Sequence, residues 1–201
     1  MKKISITLQD LFDLKGAEII NPQLFKIANN VSTDSRALKN NSIFIAIKGE
    51  RFDGHKFIEQ AIKNGASAIV VDKKKVRELP ELKSTVVIVP NTIEALGELA
   101  AIWRKKLNAK VIGITGSSGK TTLKEMIASI LSEKYKVSKT FLNDNNHIGV
   151  PLTILNTKGS DEILVAELGS NHFGEIEYTA NILQPNLALI TNIGNSHLEF
   201  L

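Results

Sequence analysis

Beyond residue 90 the chain alternates short apolar runs with longer segments in which apolar residues recur every three or four positions. Runs of this length are typical of buried strands, and the longer segments are typical of amphipathic helices. The predicted strands cover 110–114, 136–140, 163–167 and 187–191. The predicted helices begin near 92, 120, 151 and 174. This alternation favours an α/β fold, with a parallel sheet and helices on both faces.

The first 90 residues carry the same signals in shorter pieces. Thr7 followed three residues later by Asp10 is typical of a capping box and predicts a short helix. A second helix is predicted over 56–64, and strands are predicted over 24–31, 43–47, 68–71 and 86–89. The pattern changes at Pro90, so we expect a small α/β domain over 1–90 and a larger one over 91–201. Because the chain stops soon after a predicted strand, we expect the larger domain to be incomplete.

Composition and charge narrow the class of protein. The chain has 201 residues and no cysteine, which excludes disulfides and thiolate metal sites and leaves oxygen or imidazole ligands. The net charge of +4 is mild, and the one dense basic run, 73–75, is interpreted as a solvated loop. We therefore expect no nucleic-acid partner. No run approaches the roughly 18 apolar residues of a membrane span, so we expect no membrane partner and a cytoplasmic location. We also expect a monomer.

The strongest functional signal lies where the strand at 110–114 meets the following helix. The connecting turn, with the first helical residues, reads Gly116, Ser117, Ser118, Gly119, Lys120, Thr121, Thr122. Backbone amides and the helix dipole attract an anion there, a lysine adds positive charge, and a threonine hydroxyl can reach Mg²⁺. The longer signature has glycine where this chain has Ile114, so the loop is a shorter Gly-x-x-Gly-Lys-Thr form. It predicts a nucleoside triphosphate site.

Other polar residues follow the remaining strands of the second domain. Because the carboxyl ends of parallel strands meet at one edge, we expect these residues to share a rim with the phosphate loop. They are Asn145, Asn146 and His147 after the second strand, Glu167 at the end of the third, and Asn192 and His197 after the fourth. A carboxylate beside phosphates is suited to a hard cation. The alternatives are a solvated strand end at Glu167 and ordinary loop or surface histidines at His197, His147 and His55.

Six segments together resemble the Mur ligases, the ATP-dependent amino-acid ligases of bacterial peptidoglycan synthesis. The segments cover 32–36, 44–55, 115–122, 145–153, 167–176 and 191–199, in the family's order. The resemblance implies an N-terminal UDP-sugar-binding domain over 1–90. It also implies a central ATP-binding domain of the P-loop type over 91–201, with the family's C-terminal domain absent.

The resemblance also implies roles for individual residues. Lys120, Glu167 and His197 would form the catalytic set, with Lys120 on the β- and γ-phosphates. Thr121 and Glu167 would hold one Mg²⁺, and His197 would help to hold a second. The rest of the phosphate loop and Asn192 would bind the nucleotide. The substrate-binding residues would be Ser35, Arg36, Asp53, Gly54 and His55 for the UDP-sugar, and Asn145 and Asn146 for the muramyl peptide.

The implied reaction is ATP-dependent formation of an amide between UDP-MurNAc-tripeptide and D-Ala-D-Ala, through an acyl phosphate. Three alternatives stay open: a diaminopimelate- or lysine-adding ligase, a folylpolyglutamate-type ligase, and a non-catalytic nucleotide-binding module. Residues 32–36 could also be a plain turn. His147 stands where the family pattern has an acidic residue, which leaves its role open. We expect the 201-residue chain alone to lack ligase turnover.

Overall fold

The computed structural model describes residues 4–50, 52–79, 83–170 and 172–194, without the side chain of Glu78. The chain divides into two compact units, residues 4–99 and the described residues from Ala100 onward. Each unit contains its own sheet. The division falls inside the helix Thr92–Lys106, and the predicted domain assignment, with its boundary near Pro90, stays a prediction.

The first unit is built on a five-stranded sheet. Its strands are β1 (Glu18–Ile20), β2 (Asn30–Ser32), β3 (Ser42–Ile45), β4 (Ala66–Asp72) and β5 (Thr85–Val89). Their order in the sheet is β1-β5-β4-β3-β2. Strands β2 to β5 run parallel, and β1 pairs antiparallel with β5. The sheet is therefore parallel except at one edge.

Short helices connect these strands. Helix α1 (Leu8–Phe12) begins with the predicted capping box, since the Thr7 hydroxyl accepts from the Asp10 amide and the Asp10 carboxylate accepts from the Thr7 amide. Helix α2 (Ile58–Lys63) ends at Asn64, as predicted. It packs Ile58 and Ala61 onto Phe44 and its neighbours in the core. Helix α3 is Thr92–Lys106.

The predicted strand over 24–31 is wrong for most of its length. Asn21 has a left-handed backbone and Pro22 begins a 3₁₀ turn over Pro22–Leu24, so the chain bends where an extended strand was expected. Ile27 is exposed, which shows that its alternation with Phe25 does not reflect one buried face. Pairing with β3 starts at Asn30.

The second unit follows the predicted order of elements. Its strands are β6 (Lys110–Thr115), β7 (Val137–Lys139), β8 (Ile163–Glu167) and β9 (Leu187–Ile190). Its helices after α3 are α4 (Lys120–Ser132), α5 (Gly149–Asn156) and α6 (Glu175–Leu183). The four strands are parallel in the order β7-β8-β6-β9.

Helices cover both faces of this second sheet. On one face α4 packs Ala128 against Ile114 and Val165. Successive side chains of a strand point to opposite faces, so Leu164 and Ala166 lie on the other face, where both are fully buried. Helix α5 contacts β8, and α6 contacts β6. None of the helices in the described part of the chain has the length and apolar character needed to cross a bilayer.

Candidate functional site

The phosphate loop, residues 116–122, joins the end of β6 to the start of α4. Two of its glycines have positive φ, +134° at Gly116 and +77° at Gly119, a region that other residues rarely adopt. A Cβ on Gly116 would also collide with the Thr191 hydroxyl and approach the Asn192 carbonyl oxygen to 2.9 Å. Gly119 has open space around its Cα. The first glycine therefore allows close contact with the chain after β9, and the second allows the sharp entry into α4.

That neighbouring chain, residues 191–194, is called the strap. The Ser117 amide donates to the Asn192 carbonyl oxygen at 3.0 Å. The Ser118 amide donates to the Asn192 Oδ1 at 2.9 Å, and the Thr191 hydroxyl donates to the Ser118 carbonyl at 2.6 Å. Asn192 therefore lies directly on the phosphate loop and holds two of its amides.

Lys120 begins α4, and its side chain turns back over the loop. Its Nζ donates to the Gly116 carbonyl oxygen at 2.6 Å. The ammonium thus lies beside the loop's backbone amides at the positive end of the helix dipole. This collection of positive charge and N–H donors is suited to phosphate oxygens.

Glu167 ends β8 beside the same loop, with its side chain only 2% exposed. The Thr121 hydroxyl donates to Oε2 at 2.9 Å, and the Asn145 side-chain amide donates to Oε1 at 2.9 Å. Its backbone amide donates to the Thr140 hydroxyl at 3.0 Å. The structure therefore brings together three residues that the sequence places after three different strands.

The oxygens of Thr121 and Glu167 fit a hard cation such as Mg²⁺. A threonine hydroxyl can donate its proton to a carboxylate and still offer a lone pair to a metal ion. Within the described ranges, no three His, Asp or Glu side chains converge into a metal site. Within those ranges, Thr121 and Glu167 are therefore the pair that would hold such an ion beside a bound phosphate.

The loop after β7 is held against the end of β8. The Gly169 amide donates to the Asn145 carbonyl at 2.8 Å, and a Cβ on Gly169 would lie 2.6 Å from the Asn145 side chain. The Asn146 Oδ1 accepts from the amides of Ile148 and Gly149 at the start of α5. Of the two residues predicted to bind the muramyl peptide, Asn145 thus contacts Glu167, and Asn146 caps a helix.

Two histidines lie close to one carboxylate near this edge. The Nδ1 atoms of His172 and His147 are 3.3 and 3.8 Å from the Glu175 Oε1. His197, predicted as a catalytic residue and metal ligand, lies outside the described residues.

A cavity of about 410 Å³ lies in the first unit. Its lining includes Ser35, Arg36 and Gly54 from the predicted substrate residues, together with Phe52 and Phe57. The exposed Arg36 guanidinium makes a two-pronged ion pair with Asp34. These hydrogen bonds lower the pKa of the Asp34 carboxyl and raise the pKa of Arg36. Aromatic rings beside a fixed guanidinium are suited to a planar base with an anionic substituent.

Asp53 and His55, also predicted as substrate residues, brace the loop behind this cavity. The His55 Nδ1 is 2.7 Å from the Asp53 Oδ1, and its Nε2 accepts from the Asp72 amide at 3.0 Å. Because Nε2 is the acceptor, Nδ1 carries the proton. Burial raises the pKa of Asp53, but the hydrogen bonds from His55 outweigh it, so the pKa is lowered. Both ring nitrogens of His55 are engaged within the protein.

Sequence reasoning missed Phe52 and Phe57 at the cavity and Lys124 in α4. Two aromatics beside the polar segment 53–55 could have indicated a stacking surface. Lys124 is fully buried. Its position in the sequence pattern of α4 does not predict this burial, since lysine on an amphipathic helix is normally exposed.

Comparisons with known proteins agree with this arrangement. Residues 28–104 match the Mur ligase family catalytic domain, and residues 114–201 match the Mur ligase middle domain. A UDP-N-acetylmuramoyl-tripeptide–D-alanyl-D-alanine ligase from Bacillus subtilis is 42% identical over 197 residues, which is 98% of this chain and 43% of that protein. The chain therefore spans less than half the length of this relative.

Solved structures of the same family of ligases are also similar to this chain. MurF from Acinetobacter baumannii superposes with a TM-score of 0.85 at 39% identity, covering 98% of this chain and 43% of that one. MurF ligase from Thermotoga maritima in complex with ADP has a TM-score of 0.73 at 36% identity, covering 89% of this chain and 40% of that one. The two family matches occur in the order of the two units, and this chain belongs to the Mur ligase family.

Proposed function

We propose that this chain is the nucleotide-binding and UDP-sugar-binding part of an ATP-dependent, ADP-forming amide ligase. Its reaction joins D-Ala-D-Ala to UDP-MurNAc-tripeptide in peptidoglycan precursor synthesis. The observation that carries the proposal is the hydrogen-bonded set of Thr121, Glu167 and Asn145 beside the phosphate loop. The proposal includes action as a monomer in the cytoplasm, where ATP is supplied.

The chemistry has two balanced steps. An oxygen of the tripeptide carboxylate attacks the γ-phosphorus of ATP, and ADP leaves, which gives an acyl phosphate. The amine of D-Ala-D-Ala then attacks the acyl carbon, inorganic phosphate leaves, and the nitrogen loses a proton as the amide forms. Such phosphoryl transfer requires mainly positioning and charge neutralisation from the protein.

The residues around the phosphate loop take part in the first step. The amides of Ser117 and Ser118 and the Lys120 ammonium hold the phosphates of ATP, with Asn192 next to them. Thr121 and Glu167 would hold Mg²⁺, which when bound neutralises phosphate charge. The deep position of Glu167 keeps its carboxylate in one orientation.

The first unit would hold the UDP-sugar end of the substrate. Phe52 and Phe57 offer faces for the uracil ring, and Arg36 offers a charge to the diphosphate. Ser35, Gly54 and the Asp53–His55 brace keep the cavity wall in place. This assignment rests on the cavity and its lining.

The experiment that tests the proposal measures ADP release by the natural protein, with whatever sequence flanks these 201 residues. ATP, Mg²⁺ and UDP-MurNAc-tripeptide are supplied with D-Ala-D-Ala, diaminopimelate or lysine as the acceptor. We expect ADP release and product with D-Ala-D-Ala. A preference for diaminopimelate or lysine would assign the chain to a different ligase, and nucleotide binding without ADP release would favour a non-catalytic module. The 201-residue chain is assayed beside it, and we expect no turnover from it.

A further inference from the structure

Lys124 is a buried cation for which the proposed reaction has no use so far. It lies one turn after Lys120 on α4, and its side chain is 0% exposed. Long charged side chains are almost never fully buried unless they are paired. Its partners therefore indicate what it does.

Three groups surround the Lys124 ammonium. Nζ donates to the Leu142 carbonyl oxygen at 2.6 Å. It lies 3.3 Å from the Glu125 Oε1 and 3.8 Å from the Glu167 Oε2. One side chain thus connects α4, the loop after β7 and the carboxylate at the end of β8.

The contact with Leu142 holds an unusual backbone. Leu142 has φ +47°, a left-handed conformation that a leucine rarely adopts. Its side chain is largely exposed, so packing of that side chain does not account for the conformation. The hydrogen bond from Lys124 fixes the direction of its carbonyl, and the Asp144 amide closes the same turn on the Phe141 carbonyl at 3.1 Å. Three residues later in the same loop, Asn145 donates to the other oxygen of Glu167.

The contact with Glu125 is the least informative of the three about what Lys124 does. Glu125 is half exposed and also pairs with Lys139. The hydrogen bond from Lys139 is the largest cause that lowers the pKa of Glu125, ahead of the one from Lys124. Glu125 therefore has a second cation of its own, whereas the Leu142 carbonyl and the Glu167 carboxylate both face Lys124.

We propose that Lys124 is a positioning residue that holds the loop 141–146 against Glu167, so that Asn145 and Thr121 fix both carboxylate oxygens for a magnesium nucleotide. The part of this inference that concerns magnesium rests on the proposed function. Its structural half, the anchoring of the loop, does not depend on that function.

The first experiment compares Lys124→Met with Lys139→Met. Methionine keeps the length of the side chain and removes the donor and the charge. ADP affinity is measured by calorimetry in EDTA and again with Mg²⁺. We expect Lys124→Met to leave the ADP affinity in EDTA within about twofold of the wild-type value. The increase in ADP affinity that Mg²⁺ brings, called the gain from Mg²⁺, should be lower by about tenfold or more, the usual effect of losing a group that orients a metal ligand. Lys139→Met, which removes the other partner of Glu125, should leave both values unchanged.

The opposite result would overturn the inference. A larger gain from Mg²⁺ in Lys124→Met would mean that the ammonium only repels the metal. Equal losses with and without Mg²⁺ would mean that Lys124 merely supports the fold. An effect of Lys139→Met as large as that of Lys124→Met would assign the effect to Glu125.

A second pair of variants changes the loop side of the hydrogen bond between Lys124 and Leu142 and leaves Lys124 in place. Leu142→Pro fixes φ near −65°, which is incompatible with the observed backbone and displaces the carbonyl that Lys124 holds. Leu142→Gly removes the same side chain but permits positive φ. We expect the proline variant to reproduce the loss of Lys124→Met and the glycine variant to behave as wild type. Because Leu142 is exposed, this pair decides the question even if Lys124→Met does not fold.

Hydrogen exchange separates this inference from the proposed function. In nucleotide-free protein, we expect Lys124→Met and Leu142→Pro to lose protection at the Asp144 and Gly169 amides, which hydrogen bond to or within the loop. If wild type shows no gain from Mg²⁺, the metal role of Thr121 and Glu167 fails, and the exchange result alone decides whether Lys124 anchors the loop. Unchanged protection in both variants would refute the anchoring.

Discussion

Two lysines one turn apart on α4 have opposite surroundings. Lys120 reaches the Gly116 carbonyl at the loop, whereas Lys124 is enclosed between the loop after β7 and Glu167. The first was predictable because Gly-Lys-Thr at a helix start has a specific use. The second was not, since its burial depends on the carbonyl of a residue 18 positions away.

Replacing Lys120 by Ala should weaken ATP binding by about 10- to 150-fold, because a hydrogen bond to a charged group contributes roughly 1.5–3 kcal/mol. Calorimetric titration of the 201-residue chain with ATP and Mg²⁺ measures the effect. Lys134→Ala, just beyond the other end of the same helix, is the matched control and should bind as wild type. Unchanged affinity in Lys120→Ala would refute the assignment of the loop.

A second prediction at the residue scale concerns Asp53. Its pKa is lowered in the folded protein, so its ionised form stabilises the fold above its ordinary value of about 3.9. That stability is lost as the pH falls from there through the folded pKa. We expect Asp53→Asn to lower the free energy of unfolding at pH 7 by on the order of 1 kcal/mol.

The check on Asp53→Asn is urea unfolding of both proteins at pH 7, 5 and 3. The difference should persist at pH 5 and shrink at pH 3. A difference that stays constant down to pH 3 would show that the Asp53 charge has no part in bracing His55.

At the scale of elements, strands β6 and β8 were predictable because each buries most of an apolar run. Strand β9 was predictable from an apolar run that stays largely exposed in the described residues. Strand β1 was missed, since three residues, Glu18–Ile20, have too little pattern of their own and form a strand only by pairing with β5. The contact between Asn145 and Glu167 follows from topology. The use of Asn146 as a cap for α5 depends on local backbone geometry that a motif does not reveal.

The two glycines of the phosphate loop give a matched test of its geometry. Gly119→Ala introduces a residue with positive φ into open space, so we expect a loss of about 1–2 kcal/mol in unfolding free energy. Gly116→Ala adds a collision with Thr191 and Asn192 to the same strain. It should therefore cost more, and it should displace the strap.

Urea unfolding measures the two losses, and hydrogen exchange at the Ser117 amide reports the contact with the strap. Equal losses for the two variants, with unchanged exchange, would show that the strap does not press on the loop.

For the whole molecule, the main feature is that each unit carries a candidate ligand site. The first unit has the cavity beside Arg36, and the second has the phosphate loop. A cavity of about 410 Å³ is within the usual range for small-molecule sites. The two sites have different chemistry, aromatic and basic in the first and rich in backbone amides in the second. Each should therefore select its own ligand.

The different chemistry of the two sites predicts where two nucleotides bind. We expect ADP with Mg²⁺ to slow hydrogen exchange in peptides that cover residues 116–124. We expect UDP to slow exchange in peptides that cover 33–36 and 52–57, with little effect on the phosphate loop. Hydrogen-exchange mass spectrometry of the 201-residue chain measures both. Protection of 116–124 by UDP alone would remove the basis for assigning the sugar nucleotide to the first unit.

The hydrogen bonds from the amides of Ser117 and Ser118 to Asn192 have a kinetic consequence. These amides have acceptors within the chain, so a phosphate that binds them has to replace the Asn192 oxygens. We expect the strap to open before ATP enters. In stopped-flow mixing, the observed rate of binding should level off as ATP is raised, at the rate of that opening. Asn192, which accepts hydrogen bonds from both amides, would then also set the maximum rate at which the loop binds ATP.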